Sequence, residues 1–438
     1  MTQTQEAFLI LVRLGLGLSE DPLDVFDNQP NWGEIRALAA QQGLSAIVVD
    51  GINRLKEIDE SKAQVSKEVM LPWIGEVLQG ETVYRRQQKV AAEMAALFQK
   101  NGIRTYVLKG NVVAECYPKP EHRVSVDLDC ILCNENGIAL AEGAENVERS
   151  GMRNDEDVWE KGNRLIEEKG MVVKRDFYKN STFFLPGLMV ENHLFFTPFR
   201  GNGRLKALER FLQSQMKVQG VQEVQGVQEV QGVQGVQRVQ EVQRVQEVQR
   251  VLEVQEVQEF FASEASQAPS ARAQEGRFEG TCLYRPPVMV SALFLIEHAY
   301  SHFLHEGLTW RLVLDWMMFS KTHEQEIDWT ELYRKIDAFH FRKFYDSYYR
   351  IGTCLLDGGQ GVQGFKSLSL SYQDKRMLED IWAPQDLHET VYGIKGKIAL
   401  AQSTWRARWK YRYFTDISML HALWIQVKGF LFDKNPEL

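Results

Sequence analysis

The stretch 103–132 places the tightest constraint on the fold, because its apolar runs, glycine turn and paired carboxylates must be accommodated together. Residues 103–108 form a short apolar run that ends in a Lys-Gly turn, so they predict a strand. Residues 111–117 continue with a helical pattern until two prolines interrupt it. Residues 124–132 then alternate between apolar and polar side chains, which is typical of a second strand. The stretch therefore predicts the order strand, turn, helix, strand.

Two carboxylates, Asp127 and Asp129, lie on one face of the second strand, because side chains two residues apart point to the same side. Adjacent carboxylates repel each other, and a cation between them relieves the repulsion. We therefore expect a metal site here, and we expect Asp129→Asn to preserve or slightly raise the stability of the metal-free protein. The ordinary alternative is a solvated strand end on which the two acidic residues have no joint role.

Four residues around the turn are suited to phosphate oxygens. Gly110 allows a sharp turn before the helix that starts at Asn111, and helix N-termini expose backbone N–H groups to anions. Lys109 precedes that turn, and Arg123 lies four residues before Asp127, so both supply positive charge. The sequence thus predicts a phosphate-binding turn beside the paired carboxylates.

A third acidic residue, Glu191, lies within a later apolar strand, with His193 on the same face. A charge inside an apolar run costs free energy unless it is paired or binds a metal. The strand follows Pro186-Gly187, a strong turn signal, so we expect a hairpin that brings Glu191 beside Asp129. The open alternatives are an exposed face of an edge strand for Glu191 and a structural role for His193.

Taken together, these motifs resemble the nucleotidyltransferase superfamily that includes DNA polymerase beta. They are more closely similar to a bacterial family of uncharacterised nucleotidyltransferases in which Leu-Lys-Gly replaces the usual Gly-Ser. The similarity also covers residues 32–40 before the core and residues 296–303 and 307–316 after it. The motifs that carry the resemblance are Leu108-Lys109-Gly110, Arg123, Asp127-Leu128-Asp129 and Glu191-Asn192-His193.

The resemblance implies an enzyme that transfers a nucleoside monophosphate from an NTP to a hydroxyl-type acceptor, with release of pyrophosphate. It implies that Asp127, Asp129 and Glu191 are catalytic and bind two Mg²⁺ (or Mn²⁺) ions, with Glu191 also the candidate general base. The nucleotide-binding residues that it implies are Lys109, Gly110, Asn111 and Arg123. The chain departs from the superfamily at two positions, since Asn111 replaces the usual serine and Glu191 replaces the commoner aspartate.

Two helical segments after the core supply weaker candidates. His298 and His302 lie four residues apart, on one helix face, but the HExxH order of a zinc site is absent. Arg311 and Asp315 have the same spacing, which is typical of an ion pair on a helix surface. The resemblance places these segments against the core, on the acceptor side of the cleft. The weaker site candidates are therefore His193, His302, Arg311 and Asp315.

Residues 218–259 consist of fourteen consecutive triplets that begin with valine, nearly all of them Val-Gln-Gly, Val-Gln-Glu or Val-Gln-Arg. On a helix, a three-residue period makes the valines drift by about 60° per repeat, and on a strand they alternate between faces. Neither arrangement gives a single buried seam, so we predict a low-complexity insertion in a loop between domains. The alternative is an interaction or assembly role for the repeat.

The composition is that of an ordinary soluble protein, with 44% hydrophobic and 25% charged residues. The net charge of -8 argues against a protein that coats nucleic acid through bulk positive charge. Five cysteines, including one isolated CxxC pair at Cys130 and Cys133, indicate packing in a reducing compartment rather than a disulfide framework. The N-terminus lacks the features of a signal peptide, and no run of eighteen apolar residues occurs, so we expect a cytoplasmic protein without a transmembrane segment.

The predicted fold class is α+β, with a mixed-sheet nucleotidyltransferase core flanked by N- and C-terminal helical regions. The predicted regions are N-terminal helices at 1–100, the core at 101–200 with a helix at 136–149, a linker at 201–285 and C-terminal helices at 286–438. Two other functional classes stay open, namely a nucleotide-binding pseudoenzyme that regulates a partner and an interaction scaffold that uses the repeat. The sequence does not identify the NTP, the oligomeric state or the acceptor, which is a small molecule, a sugar, a protein or an RNA end.

Overall fold

The computed structural model describes residues 1–18, 23–134, 158–177, 179–198, 202–216, 276–278, 280–356, 370–383, 405–416, 418–421 and 424. The repeat at 218–259 and the helix predicted at 136–149 lie outside the described residues. Every predicted site residue lies within them.

A six-stranded mixed sheet forms the centre of the fold and confirms the predicted α+β class. The strands are β1 (Ile103–Val107), β2 (Asp127–Asn134), β3 (Val173–Phe177), β4 (Asn180–Leu185), β5 (Leu188–His193) and β6 (Leu283–Tyr284). Their order in the sheet is β3-β4-β5-β2-β1-β6. The central strand β2 runs antiparallel to β1 and parallel to β5, and β6 lies parallel to β1 at the edge.

Helices precede and follow the strands in the chain, as the sequence predicted. They are α1 (Gln3–Leu16), α2 (Trp32–Gln41), α3 (Ser45–Ile58), α4 (Lys67–Lys100), α5 (Asn111–Ala114), α6 (Val158–Glu168), α7 (Gly203–Gln215), α8 (Val288–His305), α9 (Trp310–Thr322), α10 (Trp329–Ala338), α11 (Arg342–Leu355), α12 (Tyr372–Trp382) and α13 (Arg408–Phe414). Within the described segments, no helix has both the length and the apolar character needed to cross a membrane.

A polar residue caps one of the N-terminal helices, and glycines let two of them cross closely. The Asn31 side chain caps α2 by accepting a backbone hydrogen bond from Glu34. Helices α1 and α3 approach closely because both carry glycine at the contact. A Cβ on Gly51 would lie 1.9 Å from the carbonyl oxygen of Leu11, and a Cβ on Gly15 would lie 2.1 Å from that of Ile47. The 34-residue helix α4 follows and packs against β1.

The interior of β2 is apolar on both faces, because its central residues Leu128, Cys130, Ile131 and Leu132 are all buried. A strand that is buried on both faces has a continuous apolar sequence, and residues 130–133 have this pattern. Cys130 and Cys133 pack in this interior, and the five cysteines form no disulfide with one another. Their positions fit packing rather than a disulfide framework.

The segment before β2 differs from the prediction in two respects. The helix after the glycine turn is a single turn, α5, because the N–H groups that follow it reach back only three residues and close tighter turns. Strand β2 begins at Asp127 rather than at residue 124, and Val126 is 64% exposed. β5 begins at Leu188, one residue before the partner of Asp127, so it does not extend along residues 124 and 125.

Candidate functional site

The pairing of β2 with β5 brings two of the predicted carboxylates together. Asp129 lies directly opposite Glu191 in the parallel register, as the sequence predicted. On its other edge β5 pairs with β4 in a hairpin, whose turn contains Gly187 at φ 74°, a conformation that favours glycine. The same register places Asp127 opposite Met189 rather than opposite an acidic residue.

Asp129 is buried between two cationic side chains, at 3% exposure. Lys109 Nζ lies 3.0 Å from Asp129 Oδ2, and His193 Nε2 donates to Asp129 Oδ1 at 3.0 Å. Burial by itself raises the pKa of Asp129, but the charge of Lys109 and the hydrogen bond from His193 outweigh burial and hold this pKa well below its usual range. Asp129 is therefore ionised at neutral pH.

His193 is oriented as a double hydrogen-bond donor. Its Nε2 faces Asp129, and its Nδ1 lies 3.3 Å from the carbonyl oxygen of Phe195, so both ring nitrogens face acceptors. Burial and the charge of Lys179 lower the pKa of His193, but the hydrogen bonds to Asp129 and Glu191 and the charge of Asp129 together more than offset them, and the pKa is raised. This arrangement favours the imidazolium, which must lose its Nε2 proton before that nitrogen binds a metal.

Lys109 connects the end of β1 with helix α8. Its ammonium contacts Asp129 on one side and, at 3.2 Å, His298 Nε2 on the other. Burial lowers the pKa of Lys109, but the charges of Asp129 and Asp127 outweigh burial and raise it. Burial and the charges of Lys109 and His302 hold the pKa of His298 well below its usual range. His298 is therefore neutral and accepts a hydrogen bond from the ammonium.

Asp127 is half-buried at the start of β2. Burial raises its pKa; the charge of Lys109 opposes this change, and the charges of Asp129 and Glu191 reinforce it. The repulsion between acidic groups that the sequence predicted therefore acts on Asp127, whereas nearby cations dominate the surroundings of Asp129.

Three side chains are placed to share one metal ion. Asp129, Glu191 and His193 each offer a ligand atom, and these atoms all lie within 4.8 Å of one another. Two carboxylates and an imidazole form a donor set that fits a divalent cation. Asp127 is not a member of this group. The structure thus brings together two of the three predicted metal ligands, and it adds His193, one of the weaker candidates.

Arg123 is buried and forms a bidentate ion pair with Asp315, with Nε–Oδ1 at 3.0 Å and Nη2–Oδ2 at 2.7 Å. The Tyr117 hydroxyl donates to the same carboxylate at 2.8 Å. Asp315 therefore does not form the helix-surface pair with Arg311 that the spacing had suggested. Arg311 instead donates to the carbonyl oxygen of Val124 at 3.3 Å. Asp315 occupies the Nε and Nη2 donors of Arg123, so only the remaining donors of its guanidinium could contact a phosphate.

The turn before α5 offers fewer anion-binding groups than the sequence suggested. Gly110 has φ 71°, and a Cβ there would lie 3.2 Å from Ser125 Oγ, so the position requires glycine. The Asn111 side chain donates to Gln88 Oε1 at 2.7 Å. A one-turn helix lacks the dipole of a full helix, so the positive charge at this site comes mainly from Lys109.

His298 reaches the site through its contact with Lys109, although it was not among the predicted site residues. Its ring lies 4.4 Å from that of His302, which pairs with Glu306 at 2.8 Å. The available sequence signal was the four-residue spacing of the two histidines. Their contact with Lys109 depends on how α8 packs beside the end of β1, and helical periodicity does not encode that packing.

Comparison with known proteins agrees with the motifs. Residues 28–230 match the model of a family described as uncharacterised nucleotidyltransferase, over slightly less than half of the chain. No curated protein and no solved structure matches the chain. The match supports the resemblance carried by the motifs, since residues 28–230 are similar to the uncharacterised nucleotidyltransferase family.

Proposed function

We propose that the protein is a metal-dependent nucleotidyltransferase, which transfers a nucleoside monophosphate from an NTP to a hydroxyl-type acceptor and releases pyrophosphate. The observation that carries this proposal is the pairing of β2 with β5, which sets Asp129 beside Glu191 with the Lys109 ammonium in contact. Nucleotidyl transfer requires carboxylates for cations and positive charge for phosphate oxygens at one point. The family match over residues 28–230 supports the same reaction class.

Asp129, Glu191 and His193 are the residues that would hold a divalent cation, with Asp127 as a further carboxylate at the start of β2. A bound Mg²⁺ or Mn²⁺ ion supplies charge neutralisation for the phosphates and lowers the pKa of the attacking hydroxyl. Carboxylate oxygens suit both ions, whereas an imidazole ligand favours Mn²⁺ over Mg²⁺. We therefore expect Mn²⁺ to support nucleotide binding at least as well as Mg²⁺.

Lys109 is the proposed main contact to the triphosphate. In the free protein its ammonium neutralises Asp129. When an NTP binds, the three N–H donors of this ammonium exchange the carboxylate for phosphate oxygens, and Asp129 becomes available as a metal ligand. The further proposed nucleotide contacts are Gly110, Asn111 and Arg123. Of these, Arg123 has a buried Nη1 without a hydrogen-bond partner among the described residues, so one of its donors is unused.

Glu191 is the proposed general base. Its side chain is 31% exposed, against 5% for Asp129, so an acceptor hydroxyl reaches it more easily. The Glu191 carboxylate takes the hydroxyl proton while the acceptor oxygen attacks the α-phosphorus and pyrophosphate departs. Asp129 stays ionised throughout, because its low pKa keeps it unprotonated.

A nucleotide-binding protein without turnover is the second candidate, since both oxygens of Asp129 already face cationic side chains of the chain itself. Such a site is electrostatically balanced without a metal. It would bind the triphosphate through Lys109 and leave the nucleotide intact. NTP binding that is independent of divalent cations, with no pyrophosphate release from any acceptor pool, would favour this candidate.

The test is a screen for pyrophosphate release from each NTP, with Mg²⁺ or Mn²⁺, in the presence of pooled small molecules, sugars, proteins and RNA ends. Thermal unfolding measures metal–NTP binding separately, because a ligand at 100 times its Kd stabilises the folded state by about 2.7 kcal/mol. We expect Asp129→Asn to lose most of this stabilisation and nearly all transfer. Glu191→Gln should lose transfer more than binding, and Lys109→Ala should lose mainly NTP binding.

Glu168→Gln is the matched control, because Glu168 is an exposed acidic residue at the end of α6. Both metal–NTP binding and transfer should be unchanged in this variant. If Asp129→Asn binds metal–NTP as tightly as the wild type, the paired carboxylates are not the metal site and the proposal fails.

A further inference from the structure

A small polar cavity adjoins the candidate site, and we call it the α8 cavity. Its volume is about 170 Å³. One wall is the C-terminal half of α8, and another residue comes from the turn between β3 and β4. The lining includes Lys179, Glu297, His298, His302, His305 and Glu306.

Glu297 is the unusual member of this lining. Its side chain is 3% exposed and forms no hydrogen bond or ion pair with a described residue. Burial raises the pKa of Glu297 to about 7, the charge of Lys179 opposes this change, and the charge of Glu209 reinforces it. A buried carboxylate without a partner lowers the stability of the fold, so its presence calls for a partner that enters the cavity.

Glu209 shows how the same fold satisfies a buried carboxylate by itself. Its oxygens accept hydrogen bonds from the backbone N–H groups of Phe196 and Thr197, from the Thr197 hydroxyl and from the Gln213 amide. Glu297 has none of these donors and lines the cavity instead. No described residue donates a hydrogen bond to Glu297, so we expect the contents of the cavity to supply its hydrogen bonds.

The α8 cavity has room for more than the few waters that one carboxylate needs. A water molecule occupies roughly 30 Å³ of liquid, so the volume of about 170 Å³ corresponds to about six waters or one small organic molecule. In small-ligand sites a few polar groups fix the orientation of the ligand, and Glu297 is a candidate for that role in this cavity.

The charges of the lining favour a cationic group at Glu297. His302 and Glu306 pair with each other at 2.8 Å, and the low pKa of His298 keeps that ring neutral. Lys179 attracts Glu297 through space, but the two form no ion pair. Glu297 is therefore the negative group available to a ligand, and a buried carboxylate binds an ammonium more strongly than a neutral donor.

The cavity and the proposed transfer site share the contact between His298 and Lys109. His298 lines the cavity, and its Nε2 lies 3.2 Å from Lys109 Nζ, which in turn lies 3.0 Å from Asp129 Oδ2. Two contacts, His298 with Lys109 and Lys109 with Asp129, therefore connect the wall of the cavity with a candidate catalytic carboxylate.

We propose that the α8 cavity is the acceptor subsite and that it receives a small amino alcohol, with the ammonium group bound by Glu297 and the hydroxyl directed toward Lys109 and Asp129. This inference rests on the proposed function and names its acceptor class. The hydroxyl oxygen forms a bond to the α-phosphorus of the NTP, the bond to pyrophosphate breaks, and the hydroxyl proton passes to Glu191. The reaction needs no other reactant.

Matched ligand pairs test this inference: 2-amino-1,3-propanediol against glycerol, and 2-aminoethanol against ethylene glycol. The members of each pair differ only in an amino group that replaces a hydroxyl. Saturation-transfer NMR and calorimetric titration of the full chain measure binding without turnover. We expect each amine to bind the wild type about tenfold or more tightly than its neutral partner, because charge-assisted hydrogen bonds contribute on that scale.

Glu297→Gln keeps the shape of the side chain and removes its charge, so it should weaken amine binding by about tenfold or more and leave the neutral ligands unaffected. Glu306→Gln is the matched control, since Glu306 lines the same cavity but is exposed and pairs with His302. Its effect should stay within about threefold, as for other exposed ion pairs. Equal affinity for the amine and its neutral partner, or undiminished amine binding by Glu297→Gln, overturns the inference.

Metal–ATP binding to the same proteins separates this inference from the proposed function. If metal–ATP binds and the amines do not, the acceptor inference fails alone. If the amines bind through Glu297 and neither metal–ATP nor any of the other three metal–NTPs binds, the cavity is a ligand site, but the acceptor role and the proposed function both fail. If both bind, 2-amino-1,3-propanediol should raise pyrophosphate release, and an equal rise with glycerol would overturn the acceptor class.

Discussion

Asp129 lies between the Lys109 ammonium and the His193 imidazolium, whereas its neighbour Asp127 experiences burial together with the charges of Asp129 and Glu191. The sequence predicted that both carboxylates share one strand face. It did not reveal the two cations, because Lys109 and His193 reach Asp129 from β1 and β5. Side-chain partners from separate strands depend on packing and register, and the local pattern of a single strand contains neither.

These surroundings reverse the expectation for Asp129→Asn that follows from the sequence alone. Without the carboxylate, Lys109 and His193 are buried without their counter-charge, and breaking a buried ion pair costs roughly 3–5 kcal/mol. We therefore expect metal-free Asp129→Asn to unfold at a lower urea concentration than the wild type. Asp127→Asn is the matched control and should be at least as stable as the wild type, because the raised pKa of Asp127 shows unfavourable burial of its charge. Urea unfolding in EDTA measures both, and equal stability of the two variants would contradict this account.

Glu297 gives stability a defined pH dependence. Its pKa is about 7 in the folded protein against an ordinary value of 4.5, so the folded state holds the proton more tightly than the unfolded state. The contribution of Glu297 to the free energy of unfolding therefore falls as the pH rises from about 4.5 to about 7. Below and above this range its contribution is constant. At about 1.4 kcal/mol per pKa unit, the total loss is about 3 kcal/mol.

Glu297→Gln should abolish that loss, because its side chain does not ionise. The variant should therefore gain stability relative to the wild type between about pH 5 and about pH 8, by up to about 3 kcal/mol. Urea unfolding at several pH values measures the difference, with the exposed Glu306→Gln as the control that should show little pH-dependent change. A constant difference between Glu297→Gln and the wild type across this range would mean that Glu297 is not buried as an unpaired acid.

The β4–β5 hairpin is the element that carries Glu191 to the site, since its second strand pairs with β2 and places Glu191 opposite Asp129. The Pro-Gly signal and the alternating pattern predicted this hairpin. The sequence was sufficient for this prediction because a hairpin forms between segments that are close together in the chain. The two-residue strand β6 was not predicted, because so short a strand shows no periodicity. Helix α5 is shorter than predicted, because a propensity pattern does not reveal where the chain tightens into three-residue turns.

The close crossing of helices α1 and α3 predicts how substitution of a glycine at their contact changes stability. A Cβ on Gly51 would lie 1.9 Å from the backbone oxygen of Leu11, and a backbone atom cannot rotate away as a side chain does. Gly51→Ala must therefore separate the two helices, at a cost of roughly 1–3 kcal/mol in unfolding free energy. Gly75→Ala is the matched control, because Gly75 is exposed on α4 with open space around it, and it should raise stability by roughly 0.5–1 kcal/mol. Changes of the same sign in urea unfolding would contradict the close crossing.

At the scale of the whole molecule, one hydrophobic core joins the described N-terminal helices, sheet and C-terminal helices, from Phe8 on α1 through Leu128 on β2 to Phe414 on α13. The composition predicted enough apolar material for a core, but it did not predict that these regions share one, because contacts between distant helices depend on tertiary packing. A buried ion pair of Lys410 with Asp380, at 2.8 Å, also joins α13 to α12. The boundaries proposed at 100, 200 and 285 stay predictions.

The repeat at 218–259 should be dispensable for this core. Its fourteen valine-led triplets offer no continuous apolar seam, so we expect it to bury little surface. A variant without the repeat should keep the wild-type melting temperature, because the shorter connection changes the loop-closure free energy by only about 1 kcal/mol. Replacement of the repeat by a Gly/Ser segment of equal length is the control for chain length. Trypsin, followed by mass spectrometry, should cut the wild type first at Arg238, Arg244 or Arg250. A large fall in the melting temperature of both variants would mean that the repeat packs against the core.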